Sequence, residues 1–111
     1  MKYHNKTKEF NGIVFDSIKE CERYKDLLIL EKAGEIRDLQ RQVRFELLPK
    51  MKGKNRNERA VHYVADFTYY RKNPHGADEY VVEDVKGMRT EVYKLKRKLM
   101  LYRKNISIEE V

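Results

Sequence analysis

Between residues 61 and 86 the chain carries two β-branched, aromatic runs separated by a turn signal, and each run has a carboxylate set into it. The first, Val61-His62-Tyr63-Val64-Ala65-Asp66-Phe67-Thr68-Tyr69-Tyr70, has the composition of a strand. Asn73-Pro74-His75-Gly76 supplies the turn. The second run, Glu79 to Lys86, is nearly continuously apolar through Tyr80, Val81, Val82 and Val85, as in a strand buried on both faces. An unpaired carboxylate in such a place loses several kcal/mol of solvation, so Asp66 and Asp84 need a reason to be there. Strand alternation points residues 84 and 86 to one face, and Asp66 from the neighbouring strand adds a second acid. Two carboxylates make a hard-oxygen site for Mg2+, which takes about six oxygens at ~2.1 Å, with water and substrate phosphate completing the shell. Mn2+ is expected to substitute. A cation so held can orient a phosphodiester, lower the pKa of a bound water and neutralise the leaving oxygen. Lys86 would then position and activate the nucleophile or stabilise the charged transition state, and the sequence leaves both roles open.

The remaining chain supplies a mixed α/β framework for these strands. At 111 residues, one compact domain over residues 1–111 is expected, and 41% hydrophobic residues suffice for a core. Asn11-Gly12 between apolar residues predicts an N-terminal β-hairpin. Ser17 and Glu20 have the spacing of a capping box ahead of a helix over about 18–33, with Gly34 as its C-terminal stop. Ile36, Leu39, Val43, Phe45 and Leu47 predict one or two strands ending at Pro49, and residues 50–60 read as an irregular, mobile loop. Thr90 is placed to cap a second helix with Val92, Leu95, Leu99 and Tyr102 along it. Ile106-Ser107-Ile108 reads as a final strand. The expected order is αβββαβ with a hairpin in front.

A net charge of +7 and a pI of about 9.5 point to an acidic partner, nucleic acid ahead of a membrane surface. Residues 50–60 set Lys50, Lys52, Lys54, Arg56 and Arg59 against Glu58 alone. Lys94, Lys96, Arg97, Lys98, Arg103 and Lys104 make one face of the second helix basic. With Lys2, Lys6 and Lys8, these are the candidate phosphate contacts for DNA. No membrane span or secretory leader is visible, and the single Cys21 excludes an internal disulfide, so a cytoplasmic location is expected. His4, His62, His75 and Cys21 lack the paired spacing of a zinc site.

Tyr63-Val64-Ala65-Asp66-Phe67 followed by Val82-Glu83-Asp84-Val85-Lys86-Gly87 resembles the bipartite motif of the PD-(D/E)xK nuclease superfamily, with Ala65 at the position of the eponymous proline. Ser17-Ile18-Lys19-Glu20 matches the helix on which many members place a further acid. From Phe15 through Lys86-Gly87 to Thr90 and Tyr93-Lys94-Leu95-Lys96, the chain is similar to a family of small phage-encoded proteins assigned to that superfamily. The resemblance implies a restriction-endonuclease-like α/β core, magnesium-dependent endonucleolytic cleavage, and Glu20 as a third metal ligand beside Asp66 and Asp84. It adds Gln42, Thr90 and Tyr93 as polar site positions, with Thr90 near the nucleic acid. Glu83 should face away by alternation, and a bulge would exchange it with Asp84. Glu20 has a second reading as a plain helix cap. A phage setting, inside the bacterial host, makes branched DNA such as a recombination junction a reasonable substrate. Cutting a symmetric junction twice favours a homodimer. Two rivals stand beside this reading: a non-catalytic nucleic-acid-binding module on a nuclease fold, and a basic assembly protein whose acids form structural ion pairs.

Overall fold

The computed structural model describes residues 6–85 and 88–111. In chain order these residues form a hairpin of β1 (Lys8–Phe10) and β2 (Ile13–Phe15), helix α1 (Ile18–Lys32) and the long strand β3 (Ile36–Leu48). A second hairpin of β4 (Met51–Lys52) and β5 (Asn57–Glu58) follows, then β6 (Val61–Arg71), β7 (Glu79–Asp84), helix α2 (Glu91–Lys104) and the short β8 (Glu109–Glu110). Four strands build one sheet in the order β3-β6-β7-β8. β8 joins β7 in parallel, with Glu83 opposite Glu109 and Asp84 opposite Glu110. The mixed α/β class and the N-terminal hairpin agree with expectation. No described helix is long and apolar enough to cross a membrane.

The chain divides into two compact units, Met1–Leu39 with Tyr69–Tyr80, and Gln40–Thr68 with Val81–Val111. In the first, Asn11 and Gly12 both take positive φ, 52° and 77°, as a tight two-residue hairpin turn demands, and Phe10 pairs with Ile13. Helix α1 starts where the Ser17 hydroxyl accepts the Glu20 amide at 3.1 Å. It stops at Gly34, whose φ of 83° lets its amide reach the Glu31 carbonyl while the Glu35 amide reaches that of Leu30. These two bonds satisfy carbonyls that the helix end would otherwise orphan. Phe15, Cys21, Leu27 and Ile36 are buried, and the Tyr24 ring packs against Phe10 and Phe15.

In the second unit Leu47 of β3, Tyr63 and Ala65 of β6, Val82 of β7, and Tyr93 and Met100 of α2 form one buried cluster. Alternation explains the strand contribution, since Tyr63 and Ala65 share a face, and Tyr93 and Met100 lie about two turns apart on one side of the helix. The Thr90 hydroxyl caps α2 by accepting the Tyr93 amide at 3.1 Å, and Asn105 ends it in the left-handed region at φ 57°.

Three local expectations are corrected. Residues 50–60 contain the β4–β5 hairpin, with Met51 opposite Glu58 and the Gly53 amide bonded to the Arg56 carbonyl. This ladder is made by the backbone while its side chains stay in water, so no periodicity announces it. The last strand falls at Glu109–Glu110 rather than at 106–108, because the edge of β7 and not local propensity selects it; Ile106 and Ile108 pack against the core instead. Finally, Val92, Leu95 and Tyr102 are exposed, by 62%, 58% and 83%, whereas Tyr93 and Met100 turn inward. Helix α2 has apolar residues on more than one side, and Tyr93 and Met100 are the pair that meets Leu47, Tyr63 and Val82 in the core. Within β3, Asp38 and Gln42 have φ of 58° and 53°, left-handed positions that mark bulges in a strand.

A carboxylate pocket at the end of strand β7

Asp84 is the last residue of β7 and is almost fully buried. Its Oδ2 accepts a 2.6 Å hydrogen bond from the hydroxyl of Tyr63, a buried residue of β6. A buried phenol needs a partner, and a carboxylate supplies a short, charge-assisted one. Burial first, and then this bond to Asp84, hold the Tyr63 phenol well above its ordinary range. It therefore remains a protonated donor rather than a base. Asp66 Oδ2 accepts the amide of Val85 at 2.8 Å, just where β7 leaves the sheet. One oxygen of each acid is thus fixed by a donor from the scaffold.

Asp66 and Asp84 line one pocket of about 370 Å³, together with Tyr63, Val64, Thr90, Val92, Tyr93 and Lys96. The wall formed by Tyr93 is braced from behind. Its hydroxyl donates to Glu110 Oε2 at 2.6 Å, while Arg89 Nε and Arg97 Nη1 donate to the same carboxylate at 2.8 Å and 3.1 Å. The Tyr93 bond and the two guanidinium groups hold the Glu110 carboxyl down at about 2. Burial, with the bond to Glu110, pushes the Tyr93 phenol upward.

Asp66, Asp84, Thr90 and Tyr93 are therefore brought to one pocket. Thr90 spends its hydroxyl on the α2 cap, and Tyr93 sends its own to Glu110. Glu83 has no exposed surface, and it is Asp84 that lines the pocket. Lys86 lies outside the described residues, as do Lys2 and Gly87. Glu20 belongs to the first unit, 6% exposed in the first turn of α1. Gln42 is exposed at its bulge in β3. Lys52, Lys54, Arg56 and Arg59 stand exposed on and beside the β4–β5 hairpin. On α2, Lys98 is exposed, Lys94 pairs with Glu91 at 3.2 Å, and Arg97 is engaged with Glu110 and lies over the Tyr93 ring.

Among the described residues no group of three or more His, Cys, Asp or Glu side chains is placed to hold a metal ion. The Asp66 and Asp84 pair is nevertheless the donor set that Mg2+ commonly takes from a protein, one or two carboxylates with the remaining positions left to water and phosphate. Donors that fix one oxygen of a carboxylate orient it, as the outer partners of metal ligands do. Sequence reasoning missed Tyr63 and Glu110. A tyrosine three residues before an acid in an apolar strand is a usable signal for the first. Glu110, in a polar chain end, offers none.

The fold and pocket define a small mixed α/β protein with a pair of scaffold-fixed carboxylates at a strand end. The chain belongs to the family described as protein of unknown function (DUF1064), whose model matches residues 1–109. No curated protein and no solved structure matches it.

Proposed function

We propose that the protein is a magnesium-dependent DNA endonuclease of the PD-(D/E)xK type, with Asp66 and Asp84 as metal ligands and Lys86 beside the nucleophile. The observation that carries this reading is the joint placement of Asp66 and Asp84 in one pocket, each with one oxygen fixed by a donor, beside Thr90 and Lys96. Two ionised carboxylates lining one pocket repel one another, and a bound divalent cation would offset that repulsion. The core order of helix, three strands, helix and strand, once the two hairpins are set aside, supports a restriction-endonuclease-like fold. When bound at Asp66 and Asp84, Mg2+ or Mn2+ supplies charge neutralisation at the phosphate and an acidified water. The protein's own part is to hold the two acids rigid: Tyr63 fixes Asp84, and the end of β7 fixes Asp66. Lys96 reaches the same pocket and contributes positive charge to a bound phosphodiester. DNA, a homodimeric assembly on a symmetric junction, and action inside a phage-infected host complete the reading.

The test is cleavage of linear, flapped and four-way DNA with Mg2+ or Mn2+. Asp84→Asn should abolish cleavage while DNA binding is kept or strengthened, since a charge repelling phosphate is removed. Lys86→Ala should lower the rate with metal affinity retained. Cleavage by Asp84→Asn at the wild-type rate refutes the ligand assignment, and no divalent-cation binding at all leaves a DNA-binding module instead.

A further inference from the structure

A second cavity adjoins the carboxylate pocket. Val92 and Lys96, one turn apart on α2, line both, and the second opens to about 440 Å³ beyond them. Its remaining walls are apolar, with Leu48 at the end of β3, Ala60 and Val61 at the start of β6, and Leu95 and Leu99 on α2. His62 contributes a flat ring. Leu95 and Val92 are more than half exposed, so the groove is accessible and not a sealed void.

The charges around this groove indicate its occupant. Leu48 and Ala60 are the two roots of the segment that carries β4 and β5, in which Lys50, Lys52, Lys54, Arg56 and Arg59 are all exposed. Lys96 stands on the opposite wall, at the ridge shared with the carboxylate pocket. An apolar slot lined by Lys96, rooted at a basic hairpin segment and adjoining a two-carboxylate pocket, matches a nucleotide: a flat, weakly polar base with anionic phosphates at either end. A base within a continuous duplex enters such a slot only at an unstacking and unpairing cost of about a few kcal/mol, whereas an unpaired one enters at less cost.

We propose that this groove takes an unpaired nucleobase adjoining the phosphate at the Asp66 and Asp84 pocket, which makes the substrate class nucleic acid with an unpaired nucleotide beside the bond to be cut. This rests on the reading of the carboxylate pocket as a phosphodiester site. The groove recognises the base through its apolar faces, so it selects unpaired structure rather than sequence. Lys96 holds the phosphate that joins the base to the scissile position.

The experiment measures equilibrium binding in calcium, without cleavage, to three otherwise identical duplexes: fully paired, carrying one unpaired 2-aminopurine, and carrying an abasic nucleotide at the same position. The wild-type protein should prefer the unpaired base over both others by about tenfold, with the 2-aminopurine fluorescence changing on binding. Leu95→Glu, at a site already exposed, should reduce that preference to within about twofold, and Leu95→Ala should fall between. Equal affinity of the wild-type protein for the three duplexes overturns the proposal without use of any variant. So does a Leu95→Glu protein that keeps the preference while sedimenting as a smaller species, which would make the groove a contact between copies of this chain. Cleavage of the same DNAs in magnesium is read separately: its absence refutes the nuclease reading, while the binding preference alone decides the groove.

Discussion

Replacing Glu110 with glutamine removes one charge from the brace behind Tyr93 and leaves its shape. The carboxyl is held at about 2 against an ordinary 4.5, by the Tyr93 hydroxyl first and then by Arg89 and Arg97. Fully converted, that difference would be about 3 kcal/mol. Water reduces it, because the Arg89 and Arg97 side chains are 51% and 37% exposed while Glu110 itself is 18% exposed. Ion pairs of that exposure contribute about 0.2–1 kcal/mol each, and the 2.6 Å phenol bond to a charged acceptor adds about 1.5 kcal/mol. A loss of about 2–3 kcal/mol at pH 7 is therefore expected for Glu110→Gln. The folded carboxyl titrates lower than the unfolded one, so its stabilisation is complete above about pH 4.5 and is lost as pH falls towards 2. By pH 3 well under half of it should survive by the same linkage. Urea unfolding of both proteins, followed by circular dichroism between pH 7 and pH 3, measures the gap directly. A gap that is constant across this range, or wider in acid, refutes the assignment of Glu110 as a charged brace.

Two further outcomes test the cationic hairpin and Glu20. Joint replacement of Lys52, Lys54 and Arg56 by alanine should weaken DNA binding irrespective of sequence, and should flatten the salt dependence by about one unit of slope per phosphate contact removed. An unaltered slope in a titration from low to high salt would place the DNA on another surface. Glu20→Gln should leave stability nearly unchanged, because glutamine serves a capping box nearly as well as glutamate and the Ser17 hydroxyl still accepts the residue-20 amide. If the Glu20 carboxylate serves the metal, cleavage should fall at least tenfold, on the order of 1.4 kcal/mol in the barrier, and wild-type rates over a full magnesium titration would leave it a helix residue only.

The features readable from the sequence are those whose cause is local. Ser17, Gly34 and Thr90 announce the helix ends because capping is decided by a few neighbouring backbone groups. Asn11-Gly12 announces its hairpin because few other pairs adopt two positive φ angles so readily. Asp66 and Asp84 are conspicuous because acids seldom stand in apolar strands, and the pocket they share follows from two adjacent strands. What escaped was decided at long range. The side of α2 that faces the core depends on the space left by Leu47, Tyr63 and Val82, and the helix's own periodicity supports more than one answer. Glu110 gains its role only when β8 meets β7, and Tyr93 and Arg89 come within reach of it.

That parallel pairing of β8 with β7 also sets a schedule. Asp84 waits for a partner roughly 26 residues further along the chain, by the Asp84–Glu110 register, and parallel pairing across such a separation is slow to nucleate. During folding, β3, β6 and β7 can pair with one another before β8 docks. Until β8 docks, the outer edge of β7 presents unpaired backbone groups next to two acids, a state open to strand-to-strand association with other copies of the chain. The β7 edge of the pocket is thus complete only once β8 is in place, where the Val111 amide bonds to the Asp84 carbonyl at 3.0 Å.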